Sequence, residues 1–144
     1  MQYTTNNGSS CEIDYGQFNV EENGTLKMSG VRASNLRPIR LGGNVELKNS
    51  TIAFSTSAGN VNEKNYAFQV IPSDSAFIKA EKTHFSLPVK QDDESGVLAK
   101  LLKGANLTME GIEFSKNANL ISAEDGFNLT LNNCELESTK NSVI

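Results

Sequence analysis

A short apolar pattern recurs along the chain and constrains its fold more than any other feature of the sequence. It reads apolar, any residue, apolar, two residues, small or apolar, any residue, apolar. Its copies begin at Leu26, Val45, Ile78, Leu107 and Leu129, at intervals of 19 to 33 residues. Alternation with a period of two predicts strands, and the two-residue interruption shifts the phase as a corner between two strands would. Such a unit repeated along a chain is typical of a solenoid.

Each copy is followed by a further apolar segment and then by a turn. These segments are residues 38–41, 66–71, 97–102, 119–122 and 142–144, and Gly or Asp is frequent in the turns that follow them. Three strands per repeat predict a triangular parallel β-helix of about five coils. The right-hand rule for parallel crossovers gives its handedness. Residues 94–103 are also compatible with a short capped helix that Gly104 ends, so a helix and a third strand both stay open there.

The pattern divides the chain into two parts. Residues 1–23 are predicted to form an N-terminal cap or a partial first coil, in which Ile13, Tyr15, Phe18 and Val20 are a terminal copy of the pattern. Residues 24–144 are predicted to form the β-helix itself. The alternative fold is an antiparallel β-sandwich, which also has short strands with frequent turns. A sandwich does not explain why the same phase shift recurs in each repeat.

Three segments resemble coils of the right-handed parallel β-helix superfamily: NVELKNSTIAF at 44–54, NLTMEGIEF at 106–114 and FNLTLNNCELES at 127–138. That superfamily includes pectate-lyase-like enzymes, phage tailspikes, and bacterial surface passengers or adhesins. The resemblance implies the same architecture here. It also implies two classes of function, a structural or adhesive surface module and a carbohydrate-active enzyme.

Charge and hydropathy argue against nucleic-acid binding and against membrane insertion. The formal net charge is −4 at pH 7 and the pI is about 5.0, so the chain lacks the basic character typical of nucleic-acid binding. No apolar run approaches the ~20 residues of a membrane span, so we expect no membrane insertion. Residues 1–10 are polar and lack the pattern of a signal peptide. The expected location is nevertheless extracellular, on a cell surface or a virion, because of the superfamily resemblance.

Equivalent outward residues of successive coils should lie about 4.8 Å apart, so columns can be predicted from the alignment. The predicted first-strand column is Asp14, Lys27, Glu46, Lys79, Thr108 and Thr130. The predicted second-strand column is Asn19, Arg32, Thr51, His84, Glu113 and Glu135. The resemblance implies that a pectic enzyme would gather carboxylates on this strand and its flanking loops, and the first column has no such cluster, which argues against catalysis.

The second column nevertheless provides an alternative catalytic site. It would place His84 beside Glu113, with Glu135 in the next coil. Two carboxylates about 5 Å apart match the spacing in retaining glycosidases, and a histidine can act as general acid or base. The main expectation is that these three residues form an exposed polar face with no catalytic role. The alternative is a polysaccharide hydrolase or lyase.

Two long insertions, 55–65 and 87–96, follow the same corner of consecutive coils and should form one protruding patch. Loops of this kind commonly bind partners. The predicted binding residues are Asn60, Asn62, Glu63, Lys64, Asp92, Asp93 and Glu94. The acidic segment lacks the ligand spacing of a calcium-binding EF-hand loop, so we expect no metal and no cofactor.

The ends of a parallel solenoid expose unpaired backbone groups that repeat proteins normally cap. Residues 141–144 fall inside a predicted third strand. We therefore expect a longer chain or a protein partner at this end, with self-association as a homotrimer as one arrangement and a glycan as a further ligand. The predicted function is a non-enzymatic structural or adhesive module that works within a larger assembly.

Overall fold

The computed structural model describes residues 2–4, 11–14, 16–54, 66–87, 96–114 and 118–136. These residues form seventeen strands and no helix. In chain order the strands are β1 (Gln2–Thr4), β2 (Cys11–Asp14), β3 (Asn19–Val20), β4 (Thr25–Ser29), β5 (Val31–Leu36), β6 (Ile39–Leu41), β7 (Asn44–Lys48), β8 (Thr51–Phe54), β9 (Tyr66–Val70), β10 (Ala76–Glu81), β11 (His84–Ser86), β12 (Gly96–Leu101), β13 (Asn106–Glu110), β14 (Glu113–Phe114), β15 (Ala118–Ala123), β16 (Asn128–Asn132) and β17 (Glu135–Leu136).

The strands form a parallel β-helix. The first sheet has the order β1-β4-β7-β10-β13-β16, and the third sheet has the order β15-β12-β9-β6-β3. The second sheet is divided into β11-β8-β5-β2 and the separate pair β14-β17. Every strand pair is parallel, and every pair joins two strands that are three places apart along the chain. The predicted fold is therefore confirmed, and the antiparallel sandwich is wrong.

Five complete coils are present among these strands, followed by a sixth that includes β16 and β17. We number them coil 1 (β1–β3), coil 2 (β4–β6), coil 3 (β7–β9), coil 4 (β10–β12), coil 5 (β13–β15) and coil 6 (β16–β17). The terminal copy of the pattern lies one strand later in its coil than predicted. Ile13 pairs with Ala33 in the second sheet and Val20 pairs with Leu41 in the third, because residues 2–4 occupy the first-sheet position.

The core consists of files of apolar side chains that run along the axis of the solenoid. In the first sheet, Leu26, Val45, Ile78 and Met109 occupy one file and are 0–2% exposed. Leu107 and Leu129 are neighbours in adjacent coils, as the repeat predicts. Full burial of a side chain of this size contributes about 1.5–3 kcal/mol, so the files are the main source of stability.

The third strands of coils 3–5 each bury two successive residues in the core. These pairs are Ala67–Phe68, Leu98–Ala99 and Leu120–Ile121, and each residue is at most 3% exposed. Unbroken apolar runs cannot be distinguished from a buried helix by periodicity, which is why the sequence leaves residues 94–103 ambiguous. The structure places Gly96–Leu101 in a strand, so the helix alternative is wrong there.

The corner between the first and second sheets, which we call the first corner, has the same backbone conformation in coils 2–6. One residue in each has a left-handed φ between 46° and 71°: Gly30, Asn49, Lys82, Gly111 and Asn133. Gly and Asn tolerate this conformation, whereas Lys82 adopts it at a cost of roughly 1–2 kcal/mol. The two-residue interruption in the repeat is therefore a tight turn built on one left-handed residue.

Hydrogen bonds join successive first corners. The N–H of Gly30 donates to the carbonyl of Lys48 at 2.9 Å, and that of Asn49 donates to Glu81 at 3.0 Å. The N–H of Gly111 donates in the same way to Asn132 at 3.1 Å. The corners thus continue the backbone ladders of the sheets around the bend.

The residue after each left-handed residue reinforces the turn in three coils. Ser50 Oγ donates to the carbonyl of Lys48 at 2.8 Å, two residues earlier in the chain. Thr83 Oγ1 donates to Glu81 at 3.0 Å, and Cys134 Sγ lies 3.4 Å from the carbonyl of Asn132 in the equivalent place. Ser50 Oγ also accepts the N–H of Val31 from the previous coil at 3.1 Å, and Ser50 is only 4% exposed.

The strand register between coils 4 and 5 differs from that expected from the repeat, and we call this change the register step. The repeat predicts that Ile78 lies beside Leu107, but Ile78 pairs with Met109 and Lys79 pairs with Glu110. The first-sheet strand of coil 4 therefore runs two residues further than that of coil 5 before it turns. Gly111 consequently lies against the backbone of Ala80, where a Cβ atom would overlap the Ala80 carbonyl oxygen. The second sheet divides at the same place, between β11 and β14.

We expect Ser50→Ala to lower the free energy of unfolding by about 1–3 kcal/mol, because the buried N–H of Val31 loses an acceptor. The matched control is Thr83→Val, which removes only a partly exposed bond to a carbonyl and should cost less than about 1 kcal/mol. Chemical denaturation measures both. Equal losses would contradict the role given to Ser50.

Gly111→Ala should destabilise the fold far more than Gly104→Ala. Both glycines have a left-handed φ, so each substitution costs roughly 1–2 kcal/mol of backbone conformation. Nothing lies within 4 Å of a Cβ at Gly104, whereas at Gly111 the new atom meets the Ala80 backbone. The expected extra cost at Gly111 is about 2 kcal/mol or more, measured as a difference in unfolding free energy. Similar costs would show that the register step is absent in solution.

Candidate functional site

The two acidic residues of the alternative catalytic site are neighbours in adjacent coils. Glu113 on β14 pairs in register with Glu135 on β17, and both are exposed. Parallel strands lie about 4.8 Å apart, so two carboxylates here can approach to the spacing that a retaining mechanism requires. The backbone N–H of Glu135 donates to the carbonyl of Ile112 at 2.9 Å, which continues the ladder into this pair.

His84 does not belong to the same ladder. It pairs with Thr51 on β8, and its strand β11 is the last of the four-stranded part of the second sheet. The register step between coils 4 and 5 interrupts the column at this point. The predicted stacking of His84 on Glu113 is therefore wrong as a ladder contact, because coil 5 turns two residues earlier than coil 4.

The predicted columns are also corrected at their N-terminal ends. Asp14 pairs with Ser34 in the second sheet, and Asn19 pairs with Arg40 in the third. Asp14 Oδ1 accepts hydrogen bonds from Ser34 Oγ at 3.2 Å and from Asn35 Nδ2 at 2.8 Å. Asp14 therefore serves a local structural role, since these contacts support Asn35, which has a left-handed φ of 54°.

The predicted loop patch cannot be placed. Asn60, Asn62, Glu63, Lys64, Asp92, Asp93 and Glu94 all lie outside the described residues. Their role in binding stays a prediction.

The first sheet has an ordered arrangement of charge on its outer face, which we call the charged ladder. Its first column is Lys27, Glu46, Lys79 and Glu110 in coils 2–5, with consecutive members in register. Its second column is Lys48 and Glu81 in coils 3 and 4. Lys27 Nζ lies 3.5 Å from Glu46 Oε2, and Lys48 Nζ lies 3.9 Å from Glu81 Oε2. These four side chains are 45–59% exposed, so each pair contributes no more than about 1 kcal/mol.

The alignment of repeats missed Glu110 as a member of this ladder and placed Thr108 there instead. Thr108 pairs with Phe77. A signal for the correct register was present in the chain. The third-sheet residues Val70 and Leu101 are paired, and each precedes its first-sheet partner, Ile78 or Met109, by eight positions. If the coils are aligned by their third strands and the residues are then counted forward, Glu110 is predicted in the first column of the charged ladder.

Two further findings concern the metal ligands and the helices of the described residues. Nowhere in that part of the chain do three or more His, Cys, Asp or Glu side chains come together in a way that could hold a metal ion. The same part of the chain contains no helix with the length and apolar character needed to cross a membrane.

Comparison with known proteins gave no relative. No family model matches the chain, and neither the search of curated proteins nor that of solved structures returned a match. The architecture and the side chains that it brings together are therefore the basis of the proposed function.

We expect Glu135→Gln to raise the free energy of unfolding by roughly 0.2–1 kcal/mol at low salt, since it removes a like-charge neighbour of Glu113. The control is Glu81→Gln, which removes an attraction to Lys48 and should lower stability slightly. Both effects should diminish in about 0.5 M NaCl. Thermal unfolding at two salt concentrations measures them. A lower unfolding free energy for Glu135→Gln than for the wild type at low salt would contradict the expected repulsion between the two carboxylates.

Proposed function

We propose that this chain is a non-enzymatic structural or adhesive β-solenoid module, displayed on a cell surface or a virion and working within a larger assembly. The observation that supports this proposal best is that the parallel ladders of the first and third sheets run without a break through five complete coils. Such a solenoid is a rigid rod with regular outer faces, and its size can grow by the addition of coils. A rod of this kind is suited to display or to spacing.

The arrangement of ionisable side chains agrees with this proposal. The alternative catalytic site places His84 beside Glu113 in one column, but their strands lie in different parts of the second sheet. The charged groups of the first sheet are arranged in alternating columns. Alternation lowers repulsion along an exposed face, which is a structural role.

The last described coil supports the proposal of a protein partner. Leu129 and Leu131 continue the inward files but are only partly buried, whereas Leu107 and Met109 in the previous coil are 2% and 0% exposed. Phe127, at the start of the same coil, is 38% exposed. We infer that further protein packs against this coil, either a continuation of the solenoid or a partner, which can be a second copy. A glycan is the proposed ligand for the adhesive role.

A second candidate function is carbohydrate cleavage. The specific observation in its favour is the in-register, exposed pair Glu113 and Glu135. In this case one carboxyl would protonate the leaving oxygen and the other would act as nucleophile.

The two functions predict different results on one panel of soluble polysaccharides and immobilised glycans. The structural or adhesive module should release no product from any polysaccharide. Glycan binding should be unchanged in Glu113→Gln and Glu135→Gln, because these residues are not part of the proposed machinery. Product release is measured as new reducing ends or unsaturated sugars, and binding as retention on the glycan surface. Turnover by the wild type that both variants abolish would establish the second candidate and overturn the first.

A further inference from the structure

The charged ladder alternates in sign along the axis of the solenoid, and this pattern has a symmetry property. From coil 2 to coil 5 the first column reads positive, negative, positive, negative: Lys27, Glu46, Lys79, Glu110. Reversing the direction of the column exchanges every positive position with a negative one. The column is therefore complementary to a reversed copy of itself.

We propose that the outer face of the first sheet is the interface of an antiparallel homodimer. Its two-fold axis runs along the strand direction, between coils 3 and 4. This operator places coil 2 of one copy opposite coil 5 of the other, and coil 3 opposite coil 4. Lys27 then faces Glu110 of the second copy, and Glu46 faces the second copy's Lys79. An interface of this kind is isologous, so each contact occurs twice.

The second column of the ladder fits the same operator independently. Lys48 in coil 3 faces Glu81 in coil 4 of the second copy, and the reverse contact forms at the symmetric place. Every charged residue of the two columns thus meets the opposite charge. If the two solenoid axes were parallel instead, each coil would face the same coil of the second copy. Like charges would then oppose each other wherever a column faces the same column of the second copy. Charge complementarity of this kind selects orientation and register.

The neighbouring residues of the face are compatible with contact. Phe77 is the aromatic side chain on this face in coil 4, and it is only partly exposed. It occupies the same row as Asn44 in coil 3, so the two-fold places Phe77 of each copy against Asn44 of the other. Phe77 thus adds a partly apolar contact at the edge of the face where the strands begin, beside the two charged columns.

The size of the face sets the expected affinity. Five residues along the strands and four to five coils along the axis cover roughly 400 Å² per copy. This area lies below that of stable complexes, so the dimer should be weak and transient, with a dissociation constant on the order of 0.1–1 mM. Its affinity should depend strongly on salt, because the contacts are exposed ion pairs.

Two single charge reversals test the geometry with high specificity. In Glu46→Lys the introduced lysine and Lys79 of the other copy repel each other at two places in the dimer, and in Lys79→Glu two glutamates do so. Neither variant should associate with itself. A mixture of the two variants should form a heterodimer, because the two variants together restore opposite charges at both of these places. Sedimentation equilibrium of the full chain at up to about 1 mM, in roughly 50 mM and 500 mM NaCl, measures these masses.

The wild type should approach the dimer mass at the lower salt concentration, with affinity at least about tenfold lower at the higher one. Glu12→Lys makes the same charge change on the second sheet and should not alter association. Circular dichroism confirms that each variant is folded. If the mixed variants do not associate, if Glu12→Lys has the same effect as Glu46→Lys, or if the wild type is a monomer or a trimer, the antiparallel dimer is wrong.

The proposal is separate from the partner proposed at the last coil. Phe127→Glu adds a charge to an exposed position of that coil and should leave the lateral dimer unchanged. If Phe127→Glu abolishes self-association and Glu46→Lys does not, the lateral dimer is overturned and contact through the last coil is supported instead. Persistence of the dimer in Phe127→Glu with its loss in Glu46→Lys is the expected result.

Discussion

The left-handed residue at the first corner is the constraint on which the rest of this structure depends. The two-residue turn from the first sheet into the second is built on one residue at positive φ, and coils 2–6 each have one. Because the turn takes the same two residues each time, the strands on both sides stay in phase and direct their apolar side chains to one interior. The inward files, the parallel ladders and the outward columns all follow from that phase relation. Hydrogen bonds from Gly30 to Lys48 and from Asn49 to Glu81 make the corners part of the ladder.

The register step shows how a local change in strand length has consequences across the molecule. Coil 4 continues for two residues beyond coil 5 in the first sheet, while the third sheet remains in register. The second sheet divides as a result, and His84 and Glu113 fall in different parts of it. The same shift brings Glu110 beside Lys79 and completes the alternating column. The register step thus interrupts the ladder between His84 and Glu113 and creates the charge pattern on which the proposed dimer depends.

Much of the fold could be predicted because its determinants are local. Alternation and the two-residue interruption identify the first and second strands of each coil, and Leu107 beside Leu129 follows from the repeat. The site was less predictable, because a column depends on pairing between coils that are far apart in sequence. Lys27, Glu46 and Lys79 were placed correctly, since coils 2–4 share one register. Thr108 and Asp14 were placed wrongly, since the repeat carries no information about a slip of two residues or about which strand begins the first coil.

By itself the sequence determined the architecture of this protein: short strands, one tight corner repeated in phase, and an apolar interior common to all coils. Period-two alternation and the Gly and Asn residues that tolerate a left-handed conformation encode these features within a few residues of one another. Only the tertiary structure decided which outward residues are neighbours, because the register between coils depends on how each turn packs on the one before. The close approach of the Gly111 backbone to the Ala80 backbone marks the place where the register between coils 4 and 5 changes. Because of this register, the Glu113–Glu135 pair lies in a different part of the second sheet from His84. The charges of the first sheet also alternate without interruption from Lys27 to Glu110.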